Sequence, residues 1–150
     1  MQKQPATLLK SKICTQEQLE LASFQSWAAH IGESPGHAHR KIWEWCFIIQ
    51  ALYERNLLRP GISGLGFAVG TEPLSSLFCS LGASICATDI FTDIAKKQGW
   101  VDTNQHAANG ESLNSRQLCS DKILKQNCTF RHVDMLSLIH ISEPTRLRRI

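Results

Sequence analysis

The residues best suited to chemistry fall in the run Gly64-Leu65-Gly66-Phe67-Ala68-Val69-Gly70-Thr71-Glu72-Pro73-Leu74 and in the acid that closes Ala83-Ser84-Ile85-Cys86-Ala87-Thr88-Asp89. Glycines let a backbone approach a ligand and turn sharply into a helix, and a carboxylate at the tip of the following strand accepts hydrogen bonds from ribose hydroxyls. The spacing of ~20 residues between the two features suits a strand, turn, helix, strand unit. That chemistry fits a nucleotide-like ligand. The plain alternative makes Asp89 a turn or capping residue, but its position after an apolar strand favours ligand binding.

The elements that must hold these residues can be read from periodicity. Residues 1–11 carry Gln, Lys and Pro without a repeating pattern. A first helix is expected from Thr15, where Thr15-x-x-Gln18 forms a capping box, to Gly32, with Leu21, Phe24, Trp27, Ala28 and Ile31 on its inner face. A second, from about Ala38 to Leu58, puts Ile42, Trp45, Cys46, Ile49, Leu52 and Tyr53 on one stripe and ends at Arg59-Pro60-Gly61. Trp45 reads as core, whereas Trp43 can be core or stacking surface.

A short strand over Ser63 to Phe67 enters the glycine turn. Thr71 or Glu72 caps the next helix, whose early Pro73 is tolerated because its missing N–H has no partner there. Leu74, Leu77, Phe78 and Leu81 face inward and Gly82 closes the helix. The second strand spans Ala83 to Thr88, a short helix Thr92 to Gln98, and a further helix Ser115 to Gln126. The third strand is Thr129-Phe130-Arg131-His132-Val133, ending at Asp134.

A dinucleotide fingerprint G-x-G-x-x-G starting at Gly64 would need glycine where Val69 stands. The frame Gly66-x-Ala68-x-Gly70 fits G-x-G-x-G better, and at these residues the chain resembles the class I S-adenosylmethionine-dependent methyltransferases. The likeness extends to Asp89 and to Phe130-Arg131-His132-Val133-Asp134-Met135, and covers roughly residues 60–135. It implies S-adenosyl-L-methionine as cofactor, with Gly66, Phe67, Ala68 and Gly70 around its methionine part. It also implies Asp89 and Ile90 at the ribose and Asp134 and Met135 at the adenine.

The family usually has glycine at the position of Ala68, so its methyl group requires negative φ there. Trp100 to Ala107 resembles a segment beside the adenosine pocket. Within it His106, in a polar loop, is expected to be solvated. Catalytic residues of the family usually follow a fourth strand and none is assigned here. The methyl acceptor is likewise unassigned, and the fragment is expected to be inactive. Two rival readings are an NAD(P)-binding dehydrogenase fragment and a non-enzymatic helical interaction module.

Composition narrows the classes further. A chain of 150 residues supports one domain burying roughly 70% of its unfolded surface. The formal net charge is +3. Discounting the tail, where Arg146, Arg148 and Arg149 face only Glu143, brings it close to neutral. No basic stripe with interleaved aromatics points to nucleic acid, and no run is long and apolar enough for a membrane. Six widely spaced cysteines without CxxC suit buried thiols in a reducing, cytoplasmic setting. His37-x-His39 lacks a carboxylate or thiolate to complete a metal set, so no metal is expected.

Leu136-Ser137-Leu138-Ile139-His140-Ile141-Ser142-Glu143-Pro144-Thr145-Arg146 resembles the in-frame translation of a sequencing adapter. Three segments follow: a helical extension over 1–59, an incomplete Rossmann-like cofactor-binding domain over 60–135, and a non-native tail over 136–150. The expected fold class is α/β, with N-terminal helices before strands one to three of a doubly wound parallel sheet. In the family's full sheet the first strand is internal. Left unpaired, it is expected to make the fragment self-associate through an exposed sheet edge.

Overall fold

A computed structural model describes residues 9–34, 37 and 39–135. The tail that resembles adapter sequence, 136–150, lies outside the described residues. The chain opens with helices α1 (Gln16–Leu19), α2 (Ala22–His30) and α3 (Arg40–Glu54). It continues through β1 (Ser63–Gly66), α4 (Leu74–Ser80), β2 (Ser84–Asp89), α5 (Thr92–Lys97), a 3-10 turn (Glu111–Asn114), α6 (Asp121–Asn127) and β3 (Cys128–His132). The three strands form an open parallel sheet in the order β1-β2-β3, so the fold is α/β and Rossmann-like in its half-sheet arrangement.

The alternation of strand and helix dictates this topology, because parallel neighbours need crossover connections that return the chain to the same end of the sheet. Ser63 pairs with Ser84 and Gly66 with Ala87, while Ile85 pairs with Cys128 and Asp89 with His132. All three strands therefore end on one side, which is where Asp89 and the glycine loop meet.

Two apolar clusters support the sheet. In the first, Leu19, Phe24, Ala28, Ile31, Ile42, Trp45, Cys46 and Ile49 of the helical extension pack with Leu77 of α4. The second gathers Cys79, Ala83, Ile85, Ala87, Ala107 and Leu113. Phe78 packs against both and joins them. All six cysteines are free thiols, and burial together with the charge of Glu33 pushes Cys46 up to about 12. A hydrogen bond with Cys128, reinforced by burial, raises the Cys79 thiol and leaves the Cys128 thiol lowered.

Several local expectations need correction. The expected first helix is broken at Leu21, which is extended at ψ 137°, and the Gln25 side chain donates to the Leu19 carbonyl at 2.6 Å across the break. Leu19 consequently enters the core and Leu21 is exposed. Thr15 makes no side-chain capping bond, so the capping box does not form. The stripe on α3 buries Ile42, Trp45, Cys46 and Ile49, but Tyr53 faces solvent and the helix stops at Glu54, with Asn56 left-handed just beyond.

Neither Thr71 nor Glu72 caps α4, which begins after Pro73 without a side-chain cap. The expected helix over Ser115 to Gln126 begins at Asp121 instead. Asn114 accepts from the Cys119 amide and donates to its carbonyl, Gln117 is left-handed, and Ser120 caps α6 by accepting from Ile123 N. Local side-chain bonds here outcompete a helical turn.

Candidate functional site

The cleft of about 700 Å3 at the carboxyl ends of the strands is lined by Ala68, Gly70 and Thr71 of the glycine loop, Asp89 of β2, and Trp100, Gln105 and His106 of the following segment. Its far wall comes from His39, Arg40, Lys41 and Trp45 at the start of α3 and from Arg116. Ligands of open α/β sheets bind outside the carboxyl ends of the strands.

The glycine loop is held by both neighbours. Val69 N donates to Thr88 O at 3.0 Å, and Thr88 Oγ1 donates to Gly66 O at 3.0 Å, pinning the loop to the end of β2. On the other side Thr71 Oγ1 donates to Asn104 O at 2.8 Å. Gly70 has φ 52°, and a Cβ there would collide with the Gln105 carbonyl oxygen. This close approach is what a glycine at that position makes possible.

Ala68 departs from expectation. Its φ is 48°, in the left-handed region, so the methyl group did not force a negative φ. An alanine in that region costs about 1–2 kcal/mol. The strain sits at the boundary between the cleft and a second groove, since Ala68, like Glu72, lines both.

Asp89 is held at both carboxylate oxygens. It is buried, Oδ1 accepts from Ile90 N at 2.8 Å, and Oδ2 accepts from Ala107 N at 2.9 Å. Both oxygens thus have backbone donors that fix the rotamer, while the residue still lines the cleft. A carboxylate offers about four acceptor positions, so acceptor capacity remains beyond these two bonds.

His106 is not solvated as its polar loop suggested. Its side chain is 2% exposed, Nδ1 lies 3.4 Å from Asp89 Oδ2, and Nε2 lies 3.1 Å from Thr92 Oγ1. The Nδ1 contact is close but not aligned as a hydrogen bond, leaving that buried atom without a partner.

The remaining expected ligand residues are spread more widely. Gly66 and Phe67 line the second groove and not the cleft, and Phe67 is 46% exposed. Ile90 donates to Asp89 and accepts, through its carbonyl, from His132 Nδ1 at 3.3 Å. Asp134 and Met135 follow β3 at the same end of the sheet; Asp134 is half-buried and Met135 is exposed. Neither lines the cleft.

The far wall was not foreseen in the sequence. Lys41 pairs with Glu72 at 2.5 Å and so ties α3 to the glycine loop. Arg116 reaches Glu33 at 2.5 Å and the Ile31 carbonyl at 2.9 Å, and its guanidinium lies 5.0 Å above the Trp45 ring. Burial raises the Glu33 carboxyl, but hydrogen bonds from Arg116 and His37 outweigh it and hold the group below the ordinary carboxylate range. Trp45, read as core, is buried and also lines the cleft, with its indole N–H unpartnered. His37 pairs with Glu33 and His39 caps α3 by accepting from Lys41 N, so each histidine of that pair has its own partner.

The second groove, of about 430 Å3, runs along β1 between α3 and α4. Its lining includes Ile48, Leu52, Leu57, Leu65 and Phe67. Among the described residues β1 pairs only with β2 and its other edge carries no strand, with Leu65 60% exposed. No helix among the described residues is long and apolar enough to cross a membrane.

Comparison with protein-family models, with curated proteins and with solved structures finds no match. The chain's own residues therefore carry the functional argument.

Proposed function

We propose that this chain is the cofactor-binding half of an S-adenosylmethionine-dependent methyltransferase. The observation that carries the reading is Asp89: a buried carboxylate at the end of β2, oriented by two backbone amides and lining a cleft shared with Ala68 and Gly70. In this reading Ala68 and Gly70 border the methionine part and Asp89 the ribose, while Gly66, Phe67, Ile90, Asp134 and Met135, which the resemblance also implies, lie outside the lining of the cleft. Gly70 admits the tight loop path, and the hydrogen bonds to Thr88 and Asn104 hold that path before any ligand arrives. Methyl transfer is an in-line displacement at carbon, so the protein's work is alignment and, for acidic acceptors, removal of a proton. This half supplies the first element of that alignment, a fixed seat for the methyl donor.

Isothermal titration with S-adenosylhomocysteine tests the proposal. Saturable one-to-one binding in the micromolar range is expected, with binding lost in Asp89→Ala at a temperature where circular dichroism shows that variant folded. That variant also loses about 1–3 kcal/mol of stability, because the buried Ala107 N–H no longer has an acceptor. NADH also presents ribose hydroxyls to an acidic strand end. Binding of NADH with no binding of S-adenosylhomocysteine would replace this reading with the dehydrogenase one.

A further inference from the structure

We infer that His106 is a positioning residue that holds Asp89 for ribose recognition, an assignment that rests on the function proposed above. The imidazole is enclosed, with a side chain only 2% exposed, and it bridges two elements. Nδ1 lies 3.4 Å from Asp89 Oδ2 on β2, and Nε2 lies 3.1 Å from Thr92 Oγ1 at the start of α5. A carboxylate is acceptor only, so the proton belongs on Nδ1 and Nε2 accepts from the threonine hydroxyl. This tautomer aims a donor at Asp89.

Among the described residues that donor has no hydrogen-bond partner, and its atom is shielded from solvent. It can therefore reach a ligand only through Asp89. Hydrogen bonds at binding sites are often long or misaligned without ligand and tighten in the complex. When a ribose hydroxyl donates to Asp89, a shortening of the 3.4 Å contact lets Oδ2 accept the His106 Nδ1–H as well, and the orphaned donor is satisfied in the same step. His106 shares this task with its neighbour, since Ala107 N already donates to the same Oδ2. Thr71 anchors the segment through Asn104, so the histidine is carried on a strap fixed at both ends.

The test compares His106→Leu, which keeps bulk without a donor, with His106→Asn, which keeps a donor near the Nδ1 position. Each is titrated with S-adenosylhomocysteine, and separately with adenosine and 2'-deoxyadenosine. The expected result is a loss of about 10- to 100-fold in affinity for S-adenosylhomocysteine in His106→Leu, the range seen when outer partners orienting a ligating side chain are removed. Preference for ribose over deoxyribose should collapse in the same variant, and His106→Asn should restore both. A purely structural histidine would weaken both nucleosides equally and leave their ratio unchanged, and that outcome overturns the inference. So does a folded His106→Leu that binds as tightly as the parent. Absence of any adenosine-ligand binding by the unaltered protein instead overturns the underlying function, and this inference with it.

Discussion

The two sides of β1 make opposite use of one strand. At its carboxyl end the chain turns through Ala68 to Gly70 into a cleft with ordered polar contacts: Asp89 on two backbone amides, Thr71 on Asn104, Lys41 on Glu72. Along its open edge the same strand offers Leu65 and Phe67 beside Ile48 and Leu57, all exposed, over a groove with few polar atoms to satisfy. In the proposed reading the cleft receives a small polar ligand. Among the described residues no further strand pairs with this edge, and it lies next to apolar side chains, which is the pattern that templates pairing with another chain.

The largest effect that sharpens this contrast concerns the edge. At micromolar protein concentration a second copy is expected to pair there, giving dimers or larger species in sedimentation velocity. Leu65→Lys should shift the distribution to monomer, because a lysine on an edge strand opposes edge-to-edge pairing. The same variant should leave S-adenosylhomocysteine affinity within about 3-fold, since Leu65 does not line the cleft. A protein that is monomeric before the substitution breaks the comparison on the side of the edge.

A smaller effect is expected at Ala68, which with Glu72 lines both regions. With φ at 48°, Ala68→Gly should raise stability by about 1 kcal/mol, the relief of left-handed strain less the entropy glycine adds to the unfolded chain. Thermal unfolding followed by circular dichroism reads this directly. A drop in stability would show that the methyl group contributes packing greater than the strain it causes.

Much of this arrangement was legible in the sequence where local chemistry decides it. The glycine run, the apolar strand ending at Asp89 and the alternation of strand and helix specify a parallel sheet, and the strands fall within a residue or two of their expected bounds. What escaped prediction depends on distant partners. The break at Leu21 accompanies the Gln25 bond to Leu19, and the lost helix at Ser115 accompanies the Asn114 bonds to Cys119 and the reach of Arg116 to Glu33. His106 looked like a loop histidine because nothing near it in sequence reveals that residues 104–107 fold back onto Asp89 and Thr71. The left-handed Ala68 was missed for a related reason. Residue type sets the cost of a conformation, whereas the bonds flanking the loop decide whether that cost is met.

The measurement that bears most directly on the central claim is an amide-shift map of the protein titrated with S-adenosylhomocysteine in two-dimensional NMR. The cleft account predicts saturable shifts at the amides of Val69, Gly70, Ile90 and Ala107, with Leu57 and Leu65 on the apolar groove unmoved. Shifts confined to the groove, or none at saturating ligand, would contradict it.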